Sequence, residues 1–445
     1  MTVSHWRRSF RPIPAPATVL SSSPRTLEVD VCVVGSGVCG ISAGLALQAR
    51  HQRFVILERH ALASGASSRN AGFLMRGAAC HYAEAIDLCG REQARELWRF
   101  TEANLEGLRR EGCESLASYR RVPSMLLALK GGGGDEPWRP SAEYSAASRA
   151  GLERSRDLMK EDGLEVGWLE PADQSAPGDS AWRSGMISCA LVNPSDASVN
   201  SYELMQTLAG KLKKPAHPGL PSPVIENQEV FALERAEHDK VVVRTADFSV
   251  RCEKVLVCTN AYVSLLFPAF EEIVLPRRGQ MLGLAPEGRR LDASYYCNDG
   301  SEYFRQAADG TIVVGGCRTY FAEEEVGFED RVTARVQDAL ERFARAMLGY
   351  GANEELPITS RWAGTMGFSP DGLPLIGPVA LGEGGTDDRS LTRKTSLHST
   401  NSPVWFCGGF TGHGMSMGYK AAHAAVDAML QGSRPPFPLS RLAAS

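Results

Sequence analysis

Short, continuous apolar runs punctuate this chain. VDVCVVG at 29–35 is valine-rich and closed by a glycine, which predicts a strand covered on both faces. VCGISAGLALQARH at 38–51 predicts a helix, and FVILERH at 54–60 predicts a second strand. Together they make one strand–helix–strand unit. The same signal returns near the other end. VWFCGGF at 404–410 predicts a last strand, and the run from Gly414 predicts a last helix that stops at Gly432.

Between these ends the pattern changes. Helical periodicity runs from Glu84 to about Gly112, over 145–163, and from Asp330 to Tyr350. The stretch 224–262 alternates and breaks like a series of strands and ends on the buried run KVLVCTNAY; 279–288 and 310–320 are also strand-like. Residues 1–27 are rich in Pro, Ser and Arg and predict a loosely packed arm. GGGGDEP at 131–137 predicts a flexible loop, and the polar run 386–402 a surface insertion.

The resulting fold class is α/β, with α+β character in a second domain. A Rossmann-like domain is assembled from the discontinuous segments 28–90, 190–262 and 360–435. A mixed-sheet domain comes from 91–189 and 263–359, with an arm at 1–27 and an insertion at 382–402. A length of 445 residues suits two such domains.

Composition narrows the function. A net charge of -4 and the lack of a basic run argue against nucleic-acid binding. The eleven cysteines form no CxxC pair, which fits reduced thiols in a cytoplasmic protein and predicts no metal. RRSF at 7–10 resembles the start of an export signal, but the proline-rich stretch behind it lacks an apolar core. The uncharged run from Val31 to Ala49 is long enough to span a membrane, yet its glycines fit the strand–helix reading better.

GSGVCG places Gly35, Gly37 and Gly40 at the spacing of a dinucleotide turn, directly between strand and helix. Gly35 makes the turn, Gly37 lets a pyrophosphate reach the backbone of Ser36 and Val38, and Gly40 lets helix and strand pack closely. The helix N-terminus supplies free N–H groups. Glu58, at the end of the next strand, is placed to accept from ribose hydroxyls. Behind it, Ser64, Ser67, Ser68, Arg69 and Asn70 lie between Gly65 and Gly72. Taken alone, this run reads equally well as an ordinary polar loop or as a cradle for a cofactor longer than NAD.

Four motifs in order, VDVCVVGSGVCG, ERHALASGASSRNAGF, RWAGTMGFSPDGLPLIGP and CGGFTGHGMSMG, together resemble the D-amino-acid-oxidase-like family of FAD-dependent oxidoreductases. This family includes glycine oxidase and sarcosine oxidase. The chain is similar in look to its gamma-glutamylputrescine oxidoreductase branch, whose N-terminal arm SHW at 4–6 also resembles. The resemblance covers roughly 27–432. It implies a domain that binds FAD in extended form and a second that covers the flavin ring. It also implies oxidation of a C–N bond, with a hydride equivalent passing to flavin N5 and the imine then hydrolysing. The cofactor set it implies is Gly35, Ser36, Gly37, Val38, Gly40, Glu58, Arg59, Ser67, Ser68, Arg69, Asn70, Ala71, Gly72, Val230, Thr259, Gly409, Gly412, His413, Gly414 and Met415. The glycines of 408–418 and the last helix are expected at the flavin's pyrimidine edge, with His413 beside the ring.

Departures from relatives matter as much. No cysteine lies near RWAGTMGFSPDG and no histidine near Arg69, the places of covalent attachment in some relatives, so dissociable, non-covalent FAD is expected. Ser416 stands where sarcosine-oxidase-like proteins place a carboxylate-binding lysine. No lysine occurs between Lys254 and Lys394, which leaves oxygen or another carrier as electron acceptor. A small amine or amino acid is the expected substrate. Catalytic and substrate-contact candidates are His413, Arg76 and Arg305, with Arg277, Arg278, Arg318 and Arg361 as further options. For each arginine taken singly, an ordinary ion pair is the favoured reading over a substrate contact. Tyr303, Tyr320, Phe304 and Trp362 are candidates for an aromatic wall, and Glu323 to Glu325 reads as a solvated face. Two alternatives stay open: a flavoenzyme acting on a 2-hydroxy acid or glycerol phosphate, and a flavin-binding assembly protein.

Overall fold

A computed structural model describes residues 2–10, 26–78, 80–132, 136–213, 222–381 and 402–443. The expected insertion at 382–402 lies almost wholly outside them, as do residues 11–25 of the arm and 133–135 of the glycine loop. The chain forms two compact units: one of Met1–Phe10, Ser68–Glu203 and Arg278–Thr365, the other of Arg11–Ser67, Leu204–Arg277 and Met366–Ser445.

The second of these, here called the glycine-turn unit, is built on a six-stranded sheet. Its order is Leu375–Pro378, Val404–Gly408, Lys254–Val257, Val31–Val34, Phe54–Leu57, Val224–Ile225. All pairings are parallel except that of the first two strands. The apolar runs are strands because both faces are covered: Val31–Val34 and Phe54–Leu57 are buried at every position. The helices Val38–Ala49 and Gly414–Gln431 pack on each other. Gly418 permits this contact, since a Cβ there would meet Val38 Cγ1 at 2.7 Å. A four-stranded sheet, Thr26–Glu28, Ser249–Cys252, Val241–Arg244, Ala232–Arg235, shares the apolar core of this unit. The last helix ends on Gly432 with φ 72°, the left-handed stop its sequence predicts.

The other unit, here the large-sheet unit, carries a mixed eight-stranded sheet. Its order is Ile358–Phe368, Leu275–Leu284, Ile312–Gly316, Glu302–Gln306, Ser294–Cys297, Ser124–Leu129, Ile187–Asn193, Gly167–Leu169. Ser294–Cys297 runs parallel to Ser124–Leu129 and antiparallel to Glu302–Gln306. Alternation sorts the side chains. Tyr295, Cys297, Phe304, Ile312 and Val314 face a core with the helix Ala334–Leu348. Tyr296 and Tyr303, paired in register, therefore lie on the opposite face.

Part of the N-terminal arm is not loose. Residues His5–Ser9 form a short helix capped by Ser4, and Trp6 is 1% exposed. Ser4 Oγ donates to Ser68 O at 2.6 Å, and Trp6 Nε1 donates to Asn70 O at 2.5 Å. A large indole with a hydrogen-bonded N–H is a strong anchor, and a compositional reading of Pro and Ser does not see it.

Candidate active site

The glycine turn has the conformation and crowding that the spacing requires. Gly35 has φ +102°, and a Cβ on it would meet Cys258 O at 2.9 Å. A Cβ on Gly40 would strike Gly35 O, and one on Gly37 would meet Ser67 Oγ at 2.9 Å. Glu58 reaches back to this turn: its Oε2 accepts from Ser36 N at 2.9 Å and from Ser36 Oγ at 2.7 Å, while Oε1 accepts from His60 N at 3.0 Å. Ser67 Oγ accepts from Val38 N at 2.9 Å. The first helix amides, the acidic residue and the serine of the polar run are thus brought together. Arg59 stacks over the Tyr262 ring at 4.2 Å instead of forming part of this cluster. Val230 is buried in the apolar core.

The end of the neighbouring strand completes one wall. Thr259 Oγ1 is buried without a hydrogen-bond partner. Asn260, which the sequence reading did not single out, holds φ +48° and accepts from Gly409 N at 2.9 Å. Its signal was an Asn placed just past a buried strand, where a left-handed turn is common. Gly409, Thr411 and Gly412 have φ +71°, +47° and +85°, so the chain turns sharply before the last helix. His413 sits at the N-terminal boundary of that helix, half-buried, with Nδ1 at 3.1 Å from Thr411 O. Gly414 and Met415 form its first turn, and Ser416 is buried and brings no charge.

In the large-sheet unit several expectations need correction. Arg305 is 1% exposed; it donates to Ala71 O at 2.5 Å, Val199 O at 2.7 Å and Gln306 O at 3.3 Å, and stacks over Trp6 at 4.7 Å. It braces main chain in this structure. Arg76 is 4% exposed and lies 3.2 Å from Glu102 and 3.6 Å from Asp196, so internal carboxylates match its charge. Arg278 pairs with Glu325, both buried, which removes Glu325 from the solvated face expected of 323–325. Arg361 pairs with Glu341 at 2.7 Å. Phe304 and Trp362 are fully buried core residues, because they stand on covered strand positions.

The polar run beyond Ser67 is tied into this unit. Arg69 donates to Thr2 Oγ1, Asp330 Oδ1 and Ala363 O at 2.9, 3.0 and 3.1 Å. Asn70 Oδ1 accepts from Gly72 N at 2.7 Å, and Gly72, with φ +73°, leaves the space that Arg305 Nη2 and Val199 O occupy. Ser68 is fully buried. Of the aromatic residues considered for a wall, Tyr303 lies with Tyr296 and Phe73, ring centroids 5.5 and 6.2 Å away. Gly315 opposite Tyr303 makes room for its ring. Burial pushes the Tyr303 phenol up to about 12, while the nearby charge of Arg318 pulls the other way.

Among the described residues no group of His, Cys, Asp and Glu is arranged to hold a metal ion, and no helix is long and apolar enough to cross a membrane.

A crowded glycine turn at a helix N-terminus, with a carboxylate at the end of the adjacent parallel strand, defines a dinucleotide-binding protein. The sequence matches the DAO family, described as FAD dependent oxidoreductase, over residues 30–428. The chain belongs to that family, and FAD is its cofactor. It is 20% identical to a probable oxidoreductase, OrdL, of Rhizobium meliloti, over 88% of this chain and 81% of the relative. It is 22% identical to gamma-glutamylputrescine oxidoreductase of Escherichia coli, over 95% of this chain and 88% of the relative. Glycine oxidase from Geobacillus kaustophilus shares the fold, with a TM-score of 0.66 at 19% identity, over 93% of this chain and 98% of that one.

Proposed function

We propose that this protein oxidises the C–N bond of a small amine or amino acid. The observation that carries the reading is the match to FAD-dependent oxidoreductases along nearly the whole chain, joined to the likeness with gamma-glutamylputrescine oxidoreductase across 95% of it. The glycine-turn unit is the proposed FAD-binding domain and the large-sheet unit the proposed substrate domain.

When bound, FAD supplies the acceptor for two electrons and a proton from the carbon bearing nitrogen, leaving an imine that water hydrolyses. The residues of this chain do the rest. Gly35, Ser36, Gly37, Val38 and Gly40 line the proposed phosphate site, and Gly37 keeps its approach clear; the Ser36 and Val38 N–H groups are held by Glu58 and Ser67, which shape the turn around it. Glu58 accepts from ribose hydroxyls, and Thr259 Oγ1 gives or accepts one further hydrogen bond. The turn Gly409–Gly412 delivers the N-terminus of an 18-residue helix, whose dipole favours negative charge nearby. His413, held through Nδ1 to Thr411 O, keeps Nε2 pointed away from that bond and polarises its surroundings. Tyr296, Tyr303 and Phe73 form an apolar face that suits the carbon skeleton of an amine, with Arg318 nearby for a carboxylate. The segment Ser67–Gly72 and Met415 keep their proposed roles toward the cofactor.

Attachment is proposed to be non-covalent, the acceptor to be oxygen or another carrier, and the compartment the cytoplasm. Product analysis tests the C–N reading: incubation with primary and secondary amines and an artificial acceptor should release ammonia or a smaller amine in step with acceptor reduction. Turnover of hydroxy acids without nitrogen release would replace it with C–O oxidation.

A further inference from the structure

Beneath the dinucleotide turn lie three cysteines that the proposed reaction does not use. Cys39 is the second residue of the helix Val38–Ala49 that follows the turn. Cys258 follows the central strand Lys254–Val257, and Cys407 lies on the adjacent strand Val404–Gly408. Cys39 Sγ is 3.3 Å from Cys258 Sγ and 3.7 Å from Cys407 O. All three are free thiols, 4%, 6% and 0% exposed.

We propose that Cys39 and Cys258 are an oxidant-sensitive dithiol: a hydroperoxide converts them to a disulfide, and the oxidised protein holds FAD more weakly. This rests on the reading of the glycine turn as the FAD site. Two features select this pair from eleven cysteines. The sulfurs are already in contact, so closure to a bond of about 2.05 Å needs a movement on the order of 1 Å. Cys39 also lies in the first turn of a helix, where free N–H groups and the dipole favour thiolate. Cys39 Sγ donates toward Cys258 Sγ and Cys407 O, and its contacts with Cys258 and Cys407 lower the Cys39 thiol, while burial pushes Cys258 up. One sulfur is thereby set up as nucleophile and its neighbour kept as the protonated partner.

The chemistry balances with hydrogen peroxide as oxidant. The Cys39 thiolate attacks one peroxide oxygen; the S–O bond forms, the O–O bond breaks, and hydroxide leaves and takes a proton as water. Cys39 is then a sulfenic acid. Cys258 loses its proton and its sulfur attacks the Cys39 sulfur; the S–S bond forms, the S–O bond breaks, and a second water leaves. The two thiols give up two electrons and peroxide accepts them.

The structural consequence follows from position. Cys258 O lies 2.9 Å from the site of a Cβ on Gly35, and Val38, the residue before Cys39, donates its N–H to Ser67 at 2.9 Å. Drawing Cys39 toward Cys258 displaces the turn proposed to line the pyrophosphate site.

The test treats the holoenzyme with hydrogen peroxide, blocks remaining thiols, and maps tryptic peptides by mass without reduction. The expected result is a Cys39–Cys258 cross-linked peptide, reversed by dithiothreitol, with FAD lost on dialysis about tenfold faster than from untreated protein. Cys258→Ser and, separately, Cys39→Ser should both lose the cross-link and the peroxide-induced release. The proposal is overturned if both thiols stay alkylatable, if they oxidise singly, or if the linked protein retains FAD as well as the reduced one. A colourless protein that still forms the cross-link would instead count against the FAD reading of the turn.

Discussion

Glu58 Oε2 accepts both the main-chain N–H of Ser36, at 2.9 Å, and its hydroxyl, at 2.7 Å. One carboxylate oxygen thereby fixes the middle of the glycine turn, and Oε1, which accepts from His60 N, keeps one lone pair for the ribose hydroxyl proposed above. Glu58→Ala should strand the Ser36 N–H and remove the ribose acceptor together. FAD affinity should fall by tenfold or more, as expected for about 1.5–3 kcal/mol of charge-assisted hydrogen bonding. Quenching of flavin fluorescence on titration with the FAD-depleted protein measures this; an unchanged affinity would show that Glu58 serves the turn alone.

Arg305 and Gly72 occupy one space, so changes at either should act on stability before they act on chemistry. Arg305→Leu strands the carbonyls of Ala71 and Val199 and removes the cation over Trp6. A loss on the order of 3 kcal/mol is expected from buried unsatisfied groups. Gly72→Ala is strained by its φ of +73° and crowds the same guanidinium. Denaturant titrations of both single variants and the double variant should give a double-variant loss smaller than the sum, since each disturbs the same contact. A stable Arg305→Leu enzyme with a raised KM alone would return Arg305 to the substrate site.

The glycine turn, Glu58 and the terminal strand–helix were legible because short-range sequence dictates them: a strand that must be buried, a turn only glycine can make, a helix stopped by Gly432. The roles of the arginines were not. Arg305 and Arg76 owe their character to Val199, Glu102 and Asp196, over a hundred residues away in some cases. Sequence shows that an arginine is present, not whether a carbonyl already holds it. Strands such as Ser124–Leu129 and Ile187–Asn193 also escaped notice, since their apolar runs are short and their partners are remote.

Glu302 gives a pH signature. It is fully buried, with Oε1 unpartnered and Oε2 accepting from Asn298 at 2.6 Å. Burial pushes it from the ordinary 4.5 up to about 7, against the hydrogen bonds from Asn298 and Tyr320. The folded state then binds more protons than the unfolded state between those values. The stability contribution is present in full below the unfolded value and is lost as pH rises through about 7. Glu302→Gln should abolish a loss on the order of 3 kcal/mol across this window. Melting temperature against pH for both proteins reads it; parallel curves would place the titration elsewhere.

Tyr303 is the proposed apolar contact for the substrate skeleton. Tyr303→Ala should raise KM for good substrates by about tenfold, equal to the loss of one aromatic contact, with FAD content unchanged. A fall in bound FAD with KM unmoved would assign Tyr303 to cofactor support.

The most direct measurement is an anaerobic titration of the purified yellow protein, following absorbance of the flavin band while single compounds are added. Bleaching by amines or amino acids, with FAD recovered free after denaturation, is the predicted result. Bleaching by hydroxy acids alone, or no bleaching by any donor while the flavin remains reducible by dithionite, would contradict the assignment as a C–N oxidoreductase.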